Sequence, residues 1–238
     1  MSEYQELRAI EARYARRAAQ PGLQDRYSPL RPEVNRLLQE RQRALVRWLA
    51  ARYPQGVADL RLLEVGCGAG GNLLELLQLG FAPGHLAGAE LLPERLALAR
   101  PRLPAALSLH AGDACALPLN PASLDLVLTS TVFSSILDAG LQQRLAQAIR
   151  GWLKPGGALI CYDFVVDNPR NPDVRGLRLR RLRELFPDAE LRSQRVTLAP
   201  PLARGLCRVH PALYGLANAL PWLRTHRLSF LVKPETSA

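Results

Sequence analysis

Leu60-Arg-Leu-Leu-Glu-Val-Gly-Cys-Gly-Ala-Gly-Gly-Asn-Leu-Leu-Glu-Leu-Leu-Gln-Leu79 reads as three pieces in a row. A short apolar run, Leu60–Val65, has the length and composition of a buried strand. Glu64-Val-Gly-Cys-Gly-Ala-Gly-Gly71 is a tight turn, and an apolar helix over Leu73–Leu79 follows it. Glycines remove Cβ atoms where a ligand must lie against the backbone, and the N-terminus of the helix faces that ligand. A strand, a glycine turn and a helix in this order predict a nucleotide-type site.

Outward from this turn, short apolar runs alternate with helical segments. Strands are expected at Leu86–Glu90, Ala106–His110, Leu124–Thr129 and Ala158–Phe164, with helices at Asn72–Leu79, Pro93–Arg100 and Leu141–Leu153 between them. Such alternation predicts parallel pairing through right-handed crossovers and a sheet covered on both faces. Beyond residue 165 a helix near Val174–Phe186, a strand near Leu191–Leu198, helical segments through Ala203–Leu220 and a last strand near Arg227–Lys233 are expected. Before residue 58, one helix is expected to about Gln20, where Pro21-Gly22 stops it. A second starts at Pro32 and carries a stripe of Val34, Leu38, Leu45 and Leu49 joined by Leu37 and Trp48, with Arg36, Glu40, Arg43 and Arg47 off it.

The glycine turn satisfies two templates. Gly66, Gly68 and Gly71 fit the G-x-G-x-x-G of NAD-binding folds, while Glu64, Gly66, Gly68 and Gly70 fit E-x-G-x-G-x-G. Glu90, at the end of the second strand, suits a ribose in either case. The downstream segments separate them: Gly112-Asp-Ala114 with Leu117-Pro118, then Ser123-Leu-Asp-Leu-Val127, then Leu153-Lys-Pro-Gly-Gly157. This ordered set resembles the class I S-adenosylmethionine-dependent methyltransferases over roughly residues 58–164. The resemblance implies an α/β, Rossmann-like, seven-stranded and mostly parallel sheet in the order 3-2-1-4-5-7-6, with strand 7 antiparallel and helices on both faces. It also implies S-adenosylmethionine as cofactor. Carried over by position, Glu64 would anchor the glycine loop and the ligand's amino group, and Gly66, Gly68 and Gly70 would approach the methionine portion. Cys67, Asn72 and Leu91 stand in the same cofactor-binding segments. Glu90 would take the ribose hydroxyls, Asp113 and Ala114 the adenine, and Thr129 would line the floor below the sulfonium.

On the acceptor side, ligands of open α/β sheets sit at the C-terminal ends of the strands, where Tyr162-Asp163 ends strand five. Asp163, just before the Asn168-Pro169 turn, is therefore the expected base or orienting group. His110 is expected in its strand, and His210 and His226 fall in the C-terminal part. Tyr27-Ser28, Thr131-Val-Phe-Ser-Ser135, the stretch Asp167–Gly176 and Val196–Ala203 resemble a bacterial methyltransferase subfamily associated with surface-polysaccharide synthesis. That resemblance implies O-methylation of a sugar hydroxyl. Alternatives are a small phenolic or carboxylate metabolite, or a cofactor-binding scaffold without catalysis. The segment around Tyr14–Tyr27 is expected to close over the cofactor. Residues 1–57 then form a helical lid and 58–238 the methyltransferase domain, with acceptor-side elements in 165–238, all as one structural unit.

Composition bounds these expectations. The 238 residues are 48% hydrophobic and 22% charged, a globular balance. The longest apolar runs fall short of the ~20 residues of a membrane span, and the N-terminus has no apolar signal-like stretch. Four cysteines without a CxxC pair and no histidine pair at ligand spacing point to reduced thiols, a cytoplasmic setting and no metal. The net charge of +10 is uneven: residues 60–164 hold 7 basic and 8 acidic side chains, residues 165–238 hold 13 and 6. Of 31 basic residues all but Lys154 and Lys233 are Arg, and five Arg lie between 175 and 183. Guanidinium groups bind phosphate in a bidentate manner, so an anionic or lipid-linked glycan acceptor fits, with contact to a membrane surface left open. Nucleic acid is disfavoured by 6% aromatic content and the absence of an Asn-Pro-Pro-Tyr-like motif at Thr129-Ser-Thr-Val-Phe133.

Overall fold

A computed structural model describes residues 3–20, 22–167 and 171–235. Pro21 and the Asn168-Pro169 turn lie outside the described residues. The strands are β1 (Leu62–Val65), β2 (Leu86–Glu90), β3 (Ser108–Ala111), β4 (Leu124–Ser130), β5 (Leu153–Phe164), β6 (Glu190–Leu198) and β7 (Arg224–Val232). The helices are α1 (Glu3–Ala18), α2 (Leu23–Arg26), α3 (Pro32–Arg52), α4 (Gly71–Gln78), α5 (Pro93–Ala99), α6 (Ala139–Trp152), α7 (Leu179–Leu185), α8 (Pro200–Val209) and α9 (Ala212–Asn218). One seven-stranded sheet runs β3-β2-β1-β4-β5-β7-β6. Its first five strands are parallel, and β7 is antiparallel to both neighbours. The expected order is the observed one, and it differs from the 3-2-1-4-5-6 order of dinucleotide-binding folds.

The period of two along each strand divides the core. Leu63, Val65, Val127, Leu159 and Cys161 point to the face covered by α1, α6 and α7, while Leu62, Leu126, Leu128, Ala158 and Ile160 point to the α3 and α4 face. His110 lies in β3, as its sequence context indicates. On the second face, Trp48 of α3 stacks on Phe230 of β7 with ring centroids 4.5 Å apart.

Two local expectations are corrected. The buried side of α3 is Glu33, Glu40, Ala44, Leu45 and Leu49, and Leu38 is exposed. Glu40 is drawn inward because its carboxylate accepts the Tyr214 hydroxyl at 2.8 Å. Helix α7 begins at Leu179, not near Val174, because Arg175 donates its amide to Ser134 O and Leu177 donates to Phe164 O, holding that segment extended. The helical segments expected through Ala203–Leu220 are α8 and α9, parted at His210-Pro211 because Pro has no N–H to continue the first.

Candidate functional site

Where β1, β2, β3 and β4 end, a cavity of about 790 Å³ opens on the α1/α6 face. Gly66 forms one wall with φ +72°, a region side chains rarely adopt, and a Cβ there would lie 2.8 Å from Val132 Cγ2. The amide of Gly68 donates to Glu90 Oε2 at 2.7 Å, and Leu92 N donates to Glu90 Oε1 at 3.1 Å. Thus the glycine turn is fastened to the end of β2 through one carboxylate. Glu90, Leu91, Asp113 and Ala114 line the cavity together. Asp113 accepts Cys115 N at 3.0 Å and the Arg144 guanidinium at 2.7 Å.

Beneath the turn, Glu64 is fully buried. One oxygen accepts the Asn72 side-chain amide, which ties the start of α4 to β1, and the other has no hydrogen-bond partner among the described residues. Burial pushes this carboxyl up to about 7. An orphaned buried oxygen is an acceptor awaiting a donor. With the side-chain-free wall at Gly66 and the carboxylates of Glu90 and Asp113 in the cavity wall, the residues fit a cofactor that presents hydroxyls and an exocyclic amine; Glu64 lies outside that wall. The other expected positions are supporting. Gly70, with φ +79°, caps α4. Cys67 packs against Gly88, where a Cβ would meet its Sγ at 2.8 Å, and burial pushes its thiol up to about 12.

Two expected residues are elsewhere. Thr129 is buried between its register partners Val65 and Cys161 and does not line the cavity; Ser130 and Thr131, one and two residues on, do. Asp163 is 3% exposed and is absent from the cavity wall. Its oxygens accept Ser134 N at 3.1 Å and Phe164 N at 3.0 Å, so it pins the β4–α6 loop to β5. Burial raises it to about 6 despite those bonds. His226 is buried with its ring stacked on Tyr162, and burial lowers it to about 3, so it stays neutral. His210 is exposed at the end of α8.

Tyr14, at the start of the segment expected to close over the cofactor, lines the cavity. Several other residues at the site were not anticipated: Leu7 and Ile10 of α1 line the cavity with it at helical spacing, a stripe visible in the sequence. A buried Glu6–Arg13 ion pair (2.8 Å) holds α1 down: Glu6 also accepts Leu137 N and Arg13 donates to Ser135 O. Arg95 lies 3.6 Å from Glu90, over the Tyr14 ring and against Gly68. On the opposite sheet face, a crevice of about 310 Å³ shares Ser130 with the cavity and is lined by Arg41, Asn72, Glu75 and Tyr162. Arg41 pairs with Glu75 at 2.6 Å, while the second Glu75 oxygen is buried without a partner. Among the described residues no cluster of three or more His, Cys, Asp or Glu could hold a metal, and no helix is long and apolar enough to cross a membrane.

Comparison with known proteins agrees with this geometry. Residues 63–161 match the family model described as a methyltransferase domain. A curated relative, the tRNA N(3)-cytidine methyltransferase METTL2 of Gallus gallus, is 31% identical over 120 residues; the match takes in 47% of this chain and 32% of the relative. An S-adenosylmethionine-dependent methyltransferase from Archaeoglobus fulgidus superposes with a TM-score of 0.57 at 16% identity, covering 80% of this chain and 94% of its own. Phosphoethanolamine N-methyltransferase 2 of Haemonchus contortus, solved with S-adenosyl-L-methionine, gives 0.58 at 18% identity over 79% of this chain and 51% of its own. Sheet order, glycine turn, cavity and matched segment together show that residues 63–161 are a methyltransferase domain, in a chain with the fold of the class I S-adenosylmethionine-dependent methyltransferases, whose cofactor is S-adenosylmethionine.

Proposed function

We propose that the protein methylates a hydroxyl of a sugar in an anionic glycoconjugate. The observation that carries this reading is the unpartnered carboxylate oxygen of Glu75 in the crevice beyond Ser130, set with Arg41 and Asn72 among mostly apolar walls. When bound, S-adenosylmethionine supplies an electrophilic methyl group on a sulfur that leaves as a neutral thioether. A sugar hydroxyl has a pKa far above 7, so its proton must go to a base as the carbon–oxygen bond forms, help worth ~10²–10⁴-fold in rate. In this reading Glu75 takes that proton, Arg41 holds Glu75 in place through their ion pair, and Asn72 positions the acceptor. Asp163 acts as a positioning residue through the Ser134 loop. Residues 1–57 serve as a lid, with α1 closing the cavity through Leu7, Ile10 and Tyr14.

A second reading, methylation of an RNA base, is favoured by the likeness to the cytidine methyltransferase and by the basic C-terminal part. Incubation with methyl-tritiated S-adenosylmethionine against glycans and sugar nucleotides, transfer RNA, and phenols separates the acceptor classes. Label in the sugar arm that falls at least 100-fold in Glu75→Gln, with cofactor affinity kept, is the expected result. Label confined to RNA or phenol contradicts it.

A further inference from the structure

On the α7 face of the sheet, three arginines lie near one acid, Asp163, whose oxygens are engaged by backbone amides. Arg195 of β6 and Arg227 of β7 are directly opposite in the antiparallel register. Directly opposed residues share a face, and like charges so placed repel each other. Both neighbours in sequence, Val196 and Leu228, belong to the core of the other face, so the two guanidinium groups rise on the α7 side. Arg183 of α7 adds a third positive field, and together with burial these two arginines lower the Arg227 pKa. The Nε and Nη1 atoms of Arg227 are buried and have no hydrogen-bond partner among the described residues. Asp163 is the register partner of Arg227 on β5, but both its oxygens are occupied by the Ser134 and Phe164 amides. A partly buried, unpaired guanidinium facing two others is costly, and such groups are ordinarily paired with an anion.

We propose that Arg183, Arg195 and Arg227 form an oxyanion site that takes the phosphoryl group of a small phosphorylated molecule. Fork-shaped donors match the geometry of a phosphate, and Arg227 stands opposite Asp163 near the C-terminal end of β5, on the ligand-binding edge of the sheet. The site stands apart from the Glu75 crevice, and its test involves no methyl transfer.

The test is isothermal titration of the full chain with sodium pyrophosphate at fixed ionic strength, paired with thermal melts. Saturable one-to-one binding is expected, lowered at least tenfold in Arg227→Met and in Arg195→Met, the latter being half-exposed and safe to fold. The double variant Arg204→Gln, Arg208→Gln removes two arginines of α8, outside the cluster, and should bind within twofold of the parent. In anion-free buffer Arg227→Met should melt no lower than the parent, because it removes an unpaired charge and keeps the apolar stem. Absent saturable binding, an equal loss in the Arg204/Arg208 variant, or binding of an RNA oligonucleotide but not of pyrophosphate would overturn the proposal.

Discussion

The two halves of the sheet solve different problems with different materials. From β1 to β4 the site is built by backbone: positive-φ glycines, amides fastened to Glu90, and carboxylates at strand ends, in a stretch with nearly balanced charge. From β5 to β7 it is built by long side chains, mostly arginines, gathered across antiparallel strands and from α3 and α7. The first half has one ligand and little freedom, since backbone geometry must match it. The second can change its ligand by changing side chains without disturbing the sheet. That contrast predicts sharply different responses to mutation.

The largest effect is expected at the turn. Gly66→Val forces a side chain into φ +72° and into Val132, so affinity for S-adenosylhomocysteine should fall more than 100-fold while the protein remains folded by circular dichroism. Near-normal binding would break the claim that backbone alone shapes this half.

Next in size is Glu90→Ala, which removes the acceptor of the Gly68 and Leu92 amides together with the expected ribose partner. Titration should show a loss of about 1–3 kcal/mol in cofactor binding, the scale of a lost charged acceptor. An unchanged affinity would mean that the carboxylate only braces the loop.

On the other side, Asp163→Asn should leave kcat within tenfold and lower stability by about 1–3 kcal/mol, because it weakens the clamp on the Ser134 loop and not the chemistry. Steady-state rates and denaturant melts check both. A loss of 100-fold or more at unchanged stability would return Asp163 to the role of base.

These contrasts also explain what could be read without a structure. Gly66, Glu90 and Asp113 act from fixed offsets to the strands that carry them, so local sequence places them. Asp163 and Thr129 sit at equally suggestive offsets, yet their placement depends on non-local events. Ser134 reaches across to claim Asp163, and strand phase buries Thr129 beneath Ser130. Arg41, Glu75 and Arg227 carry no motif at all. Arg41 and Glu75 come together only when α3 packs on α4, and Arg227 meets Arg195 only through the β6–β7 register.

The last effect concerns pH. Glu64 is raised from 4.5 to about 7 in the folded protein, so the folded state binds its proton more tightly than the unfolded chain. Its contribution to stability is therefore full below pH 4.5 and is lost as pH rises through about 7. In cofactor-free melts, Glu64→Gln should gain stability relative to the parent as the pH is raised from about 5 to 7, with a slope of at most roughly 1.4 kcal/mol for each step of one in pH. A constant offset across that range would show that Glu64 is not titrating there.

The central claim is that the cavity between the glycine turn, Glu90 and Asp113 holds S-adenosylmethionine. Isothermal titration of the parent chain with S-adenosylhomocysteine and, separately, with NAD tests it most directly. Saturable one-to-one heat with S-adenosylhomocysteine, none with NAD, and loss of the signal in Gly66→Val is the predicted result. Binding of NAD without any response to S-adenosylhomocysteine would contradict it.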